Sequence, residues 1–324
     1  MAENRRSFLK TAGAGAAALA LGELLAASPV RAAGASTADF VRIVKNARLF
    51  DLSQTWDENS PIASVNPPYS MELNATHAGT RGSFGDGGQL SFTSEVQHWS
   101  GQHGAPSIDA IGHIGHNGLL YGGVDAAAAT SDLRGIGRSG VGEELDIAHY
   151  SKRLLVNRGV LLDVARFINR NRSPLHGSFK ITGEMLAETA RQQGVALQAG
   201  DTVLVRTGWG KFFAEDPELY KGPDAAGVGV DGAKFLISQG ARVVGNDTLT
   251  FEVRPPIATP PETPVFQVFP VHMLLIADNG INIIENFFLE EIAAAKEYEF
   301  LLVVAPLKIR GGTGSALRSF ALVP

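Results

Sequence analysis

The chain has 324 residues, 28 Lys and Arg against 33 Asp and Glu, a formal net charge of −5, and 44% hydrophobic residues. That is enough apolar material for the core of one large domain or two intimate ones, and the acidic balance disfavours a polyanion partner such as nucleic acid. There are no cysteines, so disulfides and thiolate ligands are excluded and any metal site must use His, Asp, Glu, Gln or backbone oxygen.

The N-terminus reads Asn4-Arg5-Arg6-Ser7-Phe8-Leu9-Lys10, followed by an Ala- and Leu-rich run from Thr11 to Ala27 and small residues around Val30-Arg31-Ala32. This is the pattern of a twin-arginine export signal over residues 1–33. The run is interrupted by Gly and by Glu23, too short and too weakly apolar to span the ~30 Å hydrocarbon layer, which argues against a lasting membrane anchor. The expectation is a periplasmic or secreted protein whose first partner is the twin-arginine export machinery. Without residues 1–33 the chain holds 24 basic and 31 acidic residues, net −7, and residues 34–324 read as one domain.

Ala38 to Ala47 forms a short amphipathic run, and Leu49 to Ser53 reads as a strand entering a polar turn. Residues 59–88 are rich in Pro, Gly, Ser and Asn and lack periodicity, which predicts a long surface excursion. Strand-like runs follow at Gln89–Val96, Gly159–Val164, Asp201–Thr207, Ala241–Gly245 and Tyr298–Pro306. Helical spacing appears over Thr182–Gln193, with Thr182 as N-cap, and over Asp231–Gln239. Strands alternating with helices predict an α/β architecture.

Four of the eight histidines, His98, His103, His113 and His116, fall within nineteen residues. Such clustering is what metal or acid–base chemistry produces. On an extended segment leading into a helix, His103 and Asp109 could share a face and one helical turn would bring His113 beside Asp109. More distant candidates are His272 and Glu285. Glu285 stands between Ile283-Ile284 and Phe287-Phe288, so if it is inside, a metal, an arginine or a proton must compensate it; otherwise it is a solvated edge-strand residue. Trp209 and Phe212, after Arg206-Thr207-Gly208 at a strand end, could line a substrate pocket with His116 or belong to the core. Gly311-Gly312-Thr313-Gly314 reads as a turn before the last strand rather than an anion cradle.

These residues resemble the cyclase family of metal-dependent hydrolases, which includes bacterial kynurenine formamidase and isatin hydrolase. The family motif is H-x-G-T-H-x-D-x-P-x-H, and with Asp109 on its aspartate, His103 takes the first histidine and His113 the last. Asp51-Leu52-Ser53, Gly159 to Asp163, Val205 to Trp209, Val244 to Asp247, His272 with Glu285-Asn286, and Pro306 to Gly314 resemble other family segments in the same order. The resemblance implies a swivelling β/β/α single domain of the cyclase/formamidase type, a mixed sheet with flanking helices, and a homodimer or homotetramer. It implies a divalent metal, zinc or manganese, bound by His103, Asp109, His113, His272 and Glu285, with His113 and Glu285 catalytic, in a hydrolase acting on a C–N bond (amide, formamide or lactam) or a cyclic ester of a small molecule.

The departures are as informative. Ser107 replaces the motif's second histidine, Ala105-Pro106 its Gly-Thr and Ile111 its proline, and His272 to Glu285 is one residue longer than in the small formamidases. A serine hydroxyl is a poorer ligand than imidazole; His98 or His116 could swing in, Gln102 could supply an oxygen, or one metal could bind with an extra water. Loss of the metal would instead leave a cyclase-fold ligand-binding protein. A Ser107–His113–Asp109 triad lacks the G-x-S-x-G elbow. A dehydratase- or cyclase-type reaction on a carbonyl compound would use the same electrophile.

Overall fold

A computed structural model of the protein describes residues 36–63, 65–102 and 104–324. The expected export segment, residues 1–33, and the candidate ligand His103 lie outside the described residues. The chain divides after Asn46 into two units. In the first, helix α1 (Thr37–Asn46) starts where Ser36 and Asp39 cap each other: the Asp39 N–H donates to Ser36 Oγ at 3.1 Å and the Ser36 N–H to Asp39 Oδ2 at 3.0 Å. Its apolar residues Phe40, Val41 and Ile43 are exposed.

The second unit, Ala47–Pro324, is built on a sheet of nine strands among the described residues. In chain order they are β1 (Arg48–Asp51), β2 (Ser107–Asp109), β3 (Val156–Asp163), β4 (Thr202–Arg206), β5 (Val243–Asn246), β6 (Asn282–Glu285), β7 (Glu299–Val303), β8 (Gly314–Ala316) and β9 (Phe320–Val323). Their spatial order is β1-β9-β7-β3-β4-β5-β6-β2-β8. The four central strands β3 to β6 run parallel, while both flanks pair antiparallel.

The central strands are apolar at nearly every position because both faces are covered. Val160, Leu162, Val203, Val205, Val244 and Ile283 point into one core, whereas Leu161, Leu204, Val243 and Ile284 point into the other. This is the two-residue alternation of a strand applied to two buried faces. Helices α2 (Gly183–Gln193) and α3 (Val230–Ser238) bury Leu186, Ala190, Ala233 and Leu236 on the first face. Helix α4 (Glu290–Ala294) buries Ile292 and Ala293 on the second. Thr182 caps α2 as expected, its side chain accepting from the Met185 N–H at 3.2 Å.

Two sequence expectations are corrected. The run Gln89–Val96 is a strand only from Ser94, continuing to His98, and it pairs antiparallel with Ser70–Ala75 inside the stretch that reads as unpatterned loop. This hairpin has no buried residue on either strand, so no burial period marks it. Residues 110–113 form a turn rather than a helix, closed by the His113 N–H donating to the Ala110 carbonyl at 3.0 Å.

Where β3 and β4 end, the wholly buried Arg206 donates to Asp163 Oδ1 at 2.7 Å, to Glu290 at 3.1 and 2.7 Å, and to the Arg172 carbonyl at 2.9 Å. One guanidinium thus locks β3, β4 and α4 together. Removing one partner of a buried ion pair strands the others, at a cost of about 3–5 kcal/mol. Arg206→Met is expected to lose that much stability in urea denaturation of the purified protein; a loss below ~1 kcal/mol, the scale of a surface pair, would show that the network is not holding the strand ends.

Candidate metal centre

The site grows from the pairing of β2 with β6. Their antiparallel register sets Ser107 opposite Glu285 and Ile108 opposite Ile284. Ile108 and Ile284 point into the second core, so Ser107, Asp109 and Glu285 project from the opposite face. Strand β6 lies between β5 and β2, which rules out a solvated edge position for Glu285; it is buried. The chain turns away directly afterwards, with Asn286 in the left-handed region at φ 64°.

His272 closes the site from a separate element. It ends the helical turn Pro270–His272, which continues as a π-helical turn, Met273–Ala277, anchored in the first core by Val271, Leu275 and Ile276. Asp109, His272 and Glu285, all buried, each offer a ligand atom, and these atoms lie within 4.8 Å of one another. His272 Nε2 is 3.3 Å from Glu285 Oε1. His113 stands at the edge, its Nε2 3.9 Å from Asp109 Oδ1 and its side chain 30% exposed. The i, i+4 spacing anticipates this meeting, although a strand end and a turn produce it.

Sequence reasoning missed Glu252. This buried carboxylate accepts from His272 Nδ1 at 2.5 Å and from the His272 N–H at 3.1 Å through Oε1, and from the Val271 N–H at 3.3 Å through Oε2. Since a carboxylate in this role accepts, Nδ1 carries the proton and Nε2 is turned toward Glu285. Its signal was the one that marks Glu285: a lone acid between apolar residues, here Phe251 and Val253.

The other candidates fall elsewhere. The Ser107 side chain, on the cluster's side of the sheet, donates from Oγ to the Gln102 carbonyl at 3.5 Å, which is not the orientation of a nucleophile activated by His113. Gln102 gives its side-chain amide to Thr313 Oγ1 at 2.9 Å. His98 is exposed at the end of the hairpin, and His116 is bound to Asp278 at 2.9 Å. Neither histidine joins the acidic cluster found among the described residues. Trp209 packs in the first core with its indole N–H on the Leu175 carbonyl at 2.8 Å, and Phe212 meets its ring edge-on at 5.5 Å; both belong to core packing. The Gly311–Gly312 stretch is a turn, as expected, tied by the Gly311 N–H to Asp146 Oδ2 at 2.6 Å.

The electrostatics show what the cluster attracts. Burial pushes the Asp109 carboxyl up to about 6; His113 pulls against that rise, Glu285 adds to it and His272 opposes it. Burial disfavours a charged His272, yet the hydrogen bonds and charges of Glu252 and Glu285 outweigh it and hold its pKa well above the usual histidine value. Three buried carboxylates around one imidazole therefore attract a cation: a proton on Nε2, or a divalent ion competing for the same place. Two carboxylate oxygens and one imidazole nitrogen suit zinc or manganese, and three protein ligands leave room for water and substrate.

Glu252→Ala is expected to weaken zinc binding, followed by competition with a chromophoric chelator, by ~10–100-fold, while Glu252→Gln, which keeps an acceptor for Nδ1–H, recovers part of the loss. Equal affinity in wild type and Glu252→Ala would remove Glu252 from the site.

The Cyclase family model matches residues 50–253, and the model of the twin-arginine translocation signal matches residues 4–22. The chain therefore carries an export signal directing it to the periplasm or beyond, and among the described residues no helix is long and apolar enough to cross a membrane. An isatin hydrolase of Roseibium aggregatum is 30% identical over 156 residues, covering 45% of this chain and 53% of the relative, so the chain spans about half the length of the curated relative it matches. A solved structure described as a novel cyclase superposes with TM-score 0.71 at 27% identity, covering 87% of this chain and 90% of that one. Isatin hydrolase A from Labrenzia aggregata, bound to benzyl benzoate, superposes with TM-score 0.65 at 21% identity, covering 89% and 99%. With the family model matched over a span that includes Asp109 and Glu252, this chain belongs to the cyclase family and has its mixed α/β fold.

Proposed function

We propose that the protein is an exported metal-dependent hydrolase that opens a C–N bond, in an amide, formamide or lactam, or a cyclic ester, of a small molecule. The single observation carrying this reading is the buried convergence of Asp109, His272 and Glu285, with His272 oriented by Glu252. Residues 34–324 make up the working domain, a homodimer or homotetramer, with Asp109, His272, Glu285 and the motif residue His103 holding zinc or manganese. When bound, that ion supplies Lewis acidity that polarises the substrate carbonyl and makes water a better nucleophile at neutral pH.

The chain's own residues do the rest. Glu252 fixes the His272 ring so that Nε2 stays aimed at Glu285. His113, partly exposed and next to Asp109, accepts a proton from the attacking water and returns it to the leaving nitrogen or oxygen; the hydroxyl joins the acyl carbon as its bond to that atom breaks, giving an amine or alcohol and a carboxylic acid that releases its proton to solvent. The apolar strands below keep bulk water from the carboxylates.

The hydroxyl at position 107 supports a second reading, a cyclase-fold binding protein without turnover, because Ser107 occupies the position opposite Glu285 where the family motif has a histidine. One experiment separates them. The exported protein is assayed for bound zinc and manganese and for hydrolysis of isatin, formylkynurenine and simple lactones, beside Asp109→Asn, His113→Gln and Ser107→His. The hydrolase reading expects stoichiometric metal, a ~100-fold or greater loss of rate in Asp109→Asn, a loss of ~10²–10⁴ in His113→Gln with metal retained, and tighter metal binding in Ser107→His. No stoichiometric metal in wild type, with no activity in wild type or Ser107→His, would overturn it.

A further inference from the structure

One buried charge near the cluster has no part in that chemistry. Arg254 is 7% exposed, two residues beyond Glu252 on the segment whose backbone pairs with Ala225 through bonds of 3.0 and 3.3 Å. Its guanidinium donates from one terminal nitrogen to the Tyr220 carbonyl, while the buried Nε–H has no acceptor among the described residues. Among the described residues it forms no ion pair with a carboxylate within 4.0 Å. The contrast with Arg206, the other large buried cation, is direct, because Arg206 is met by both Asp163 and Glu290.

A guanidinium stays charged at any physiological pH and offers five N–H donors in a planar fork that matches a carboxylate. Buried without an anion, it is costly to keep, so its persistence needs a partner that the fold itself does not provide. Its place indicates where that partner comes from. Glu252, two residues before Arg254 in the chain, holds His272. Tyr220, whose carbonyl receives the guanidinium, sends its hydroxyl to Asn286 Oδ1 at 2.8 Å, next to Glu285 in the chain. Burial pulls the Arg254 pKa down, while Tyr220, Glu285 and Asp224 act in the opposite direction, so the Glu285 carboxylate is within electrostatic reach.

We propose that Arg254 is the specificity residue of this site: its guanidinium receives a carboxylate of the small molecule handled at Asp109, His272 and Glu285. The inference rests on the hydrolase reading for the identity of that molecule. The carboxylate has two possible sources, one already present on the substrate or the one formed when water cleaves the acyl bond.

The test compares benzoate with benzamide, which share shape and differ in charge, by calorimetry on the zinc-loaded full-length mature protein, its Arg254→Lys variant and its Arg254→Met variant. Wild type is expected to bind benzoate at least ~10-fold more tightly than benzamide. Arg254→Met loses the preference, and Arg254→Lys keeps part of it. A purely structural role in holding the Tyr220 carbonyl would lower the melting temperature without altering the ratio. Steady-state kinetics then separate the sources. A substrate carboxylate predicts that Arg254→Met raises KM for a carboxylated lactam but not for the neutral parent, whereas a product carboxylate predicts weaker product inhibition with both KM values unchanged. Absence of a benzoate preference in wild type, or the same preference in Arg254→Met, overturns the proposal. Binding is read without turnover, so an inactive protein with an Arg254-dependent preference would sink the hydrolase reading and leave this one standing.

Discussion

Three carboxylates buried around one imidazole set the terms for this part of the molecule. Asp109, Glu252 and Glu285 come from separate segments, and each would be expensive to enclose alone. Two consequences follow from enclosing them together. The imidazole of His272 is held by one acid and turned toward another, and the buried carboxylates of Asp109 and Glu285, brought close together, favour a cation beside them. Burial of this kind is a poor way to stabilise a fold, because the desolvation of charges is seldom repaid by their contacts. It is a common way to prepare a metal site.

The sheet supplies the rigidity that such a site needs. Asp109 and Glu285 stand on adjacent strands, on the same face and offset by two residues in the register, with Ile108 and Ile284 packed beneath them. Arg206 fastens the ends of β3 and β4 to α4 by charge-assisted bonds, and Asp247 accepts from the Thr207 and Gly208 N–H groups at 2.8 Å each, fixing the loop after β4. Parallel strands that read as continuous apolar runs thus form the floor, and polar residues appear where those strands end. This is the usual place for a site on an open α/β sheet.

How legible this was in the sequence depended on burial. The strands β3, β4 and β5 and the helices α2 and α3 could be read because both faces of the strands and one face of each helix are buried, which leaves a strong pattern. The hairpin at 70–98 escaped because its strands are exposed on both sides. Strand β2 escaped because it has three residues, two of them polar, and its pairing with β6 joins residues far apart in the chain. Asp109 and His113 were found through their spacing and through family resemblance, yet the helix invoked to join them is a strand end and a turn. Glu252 carried the same signature as Glu285 and had no motif to draw attention to it. Ser107, conspicuous as a departure, gains meaning from register: its side chain projects on the same face as Asp109, directly across from Glu285, so the substitution falls at the site itself.

The central claim is that Asp109, His272 and Glu285 hold one divalent cation. Diffraction from crystals of the exported protein grown with zinc, recorded on both sides of the zinc absorption edge, tests it most directly. The account predicts an anomalous peak ~2.0–2.2 Å from a carboxylate oxygen of Asp109, from His272 Nε2 and from a carboxylate oxygen of Glu285. An anomalous map with no peak at the three residues, and with His272 Nε2 still hydrogen-bonded to Glu285, would contradict it.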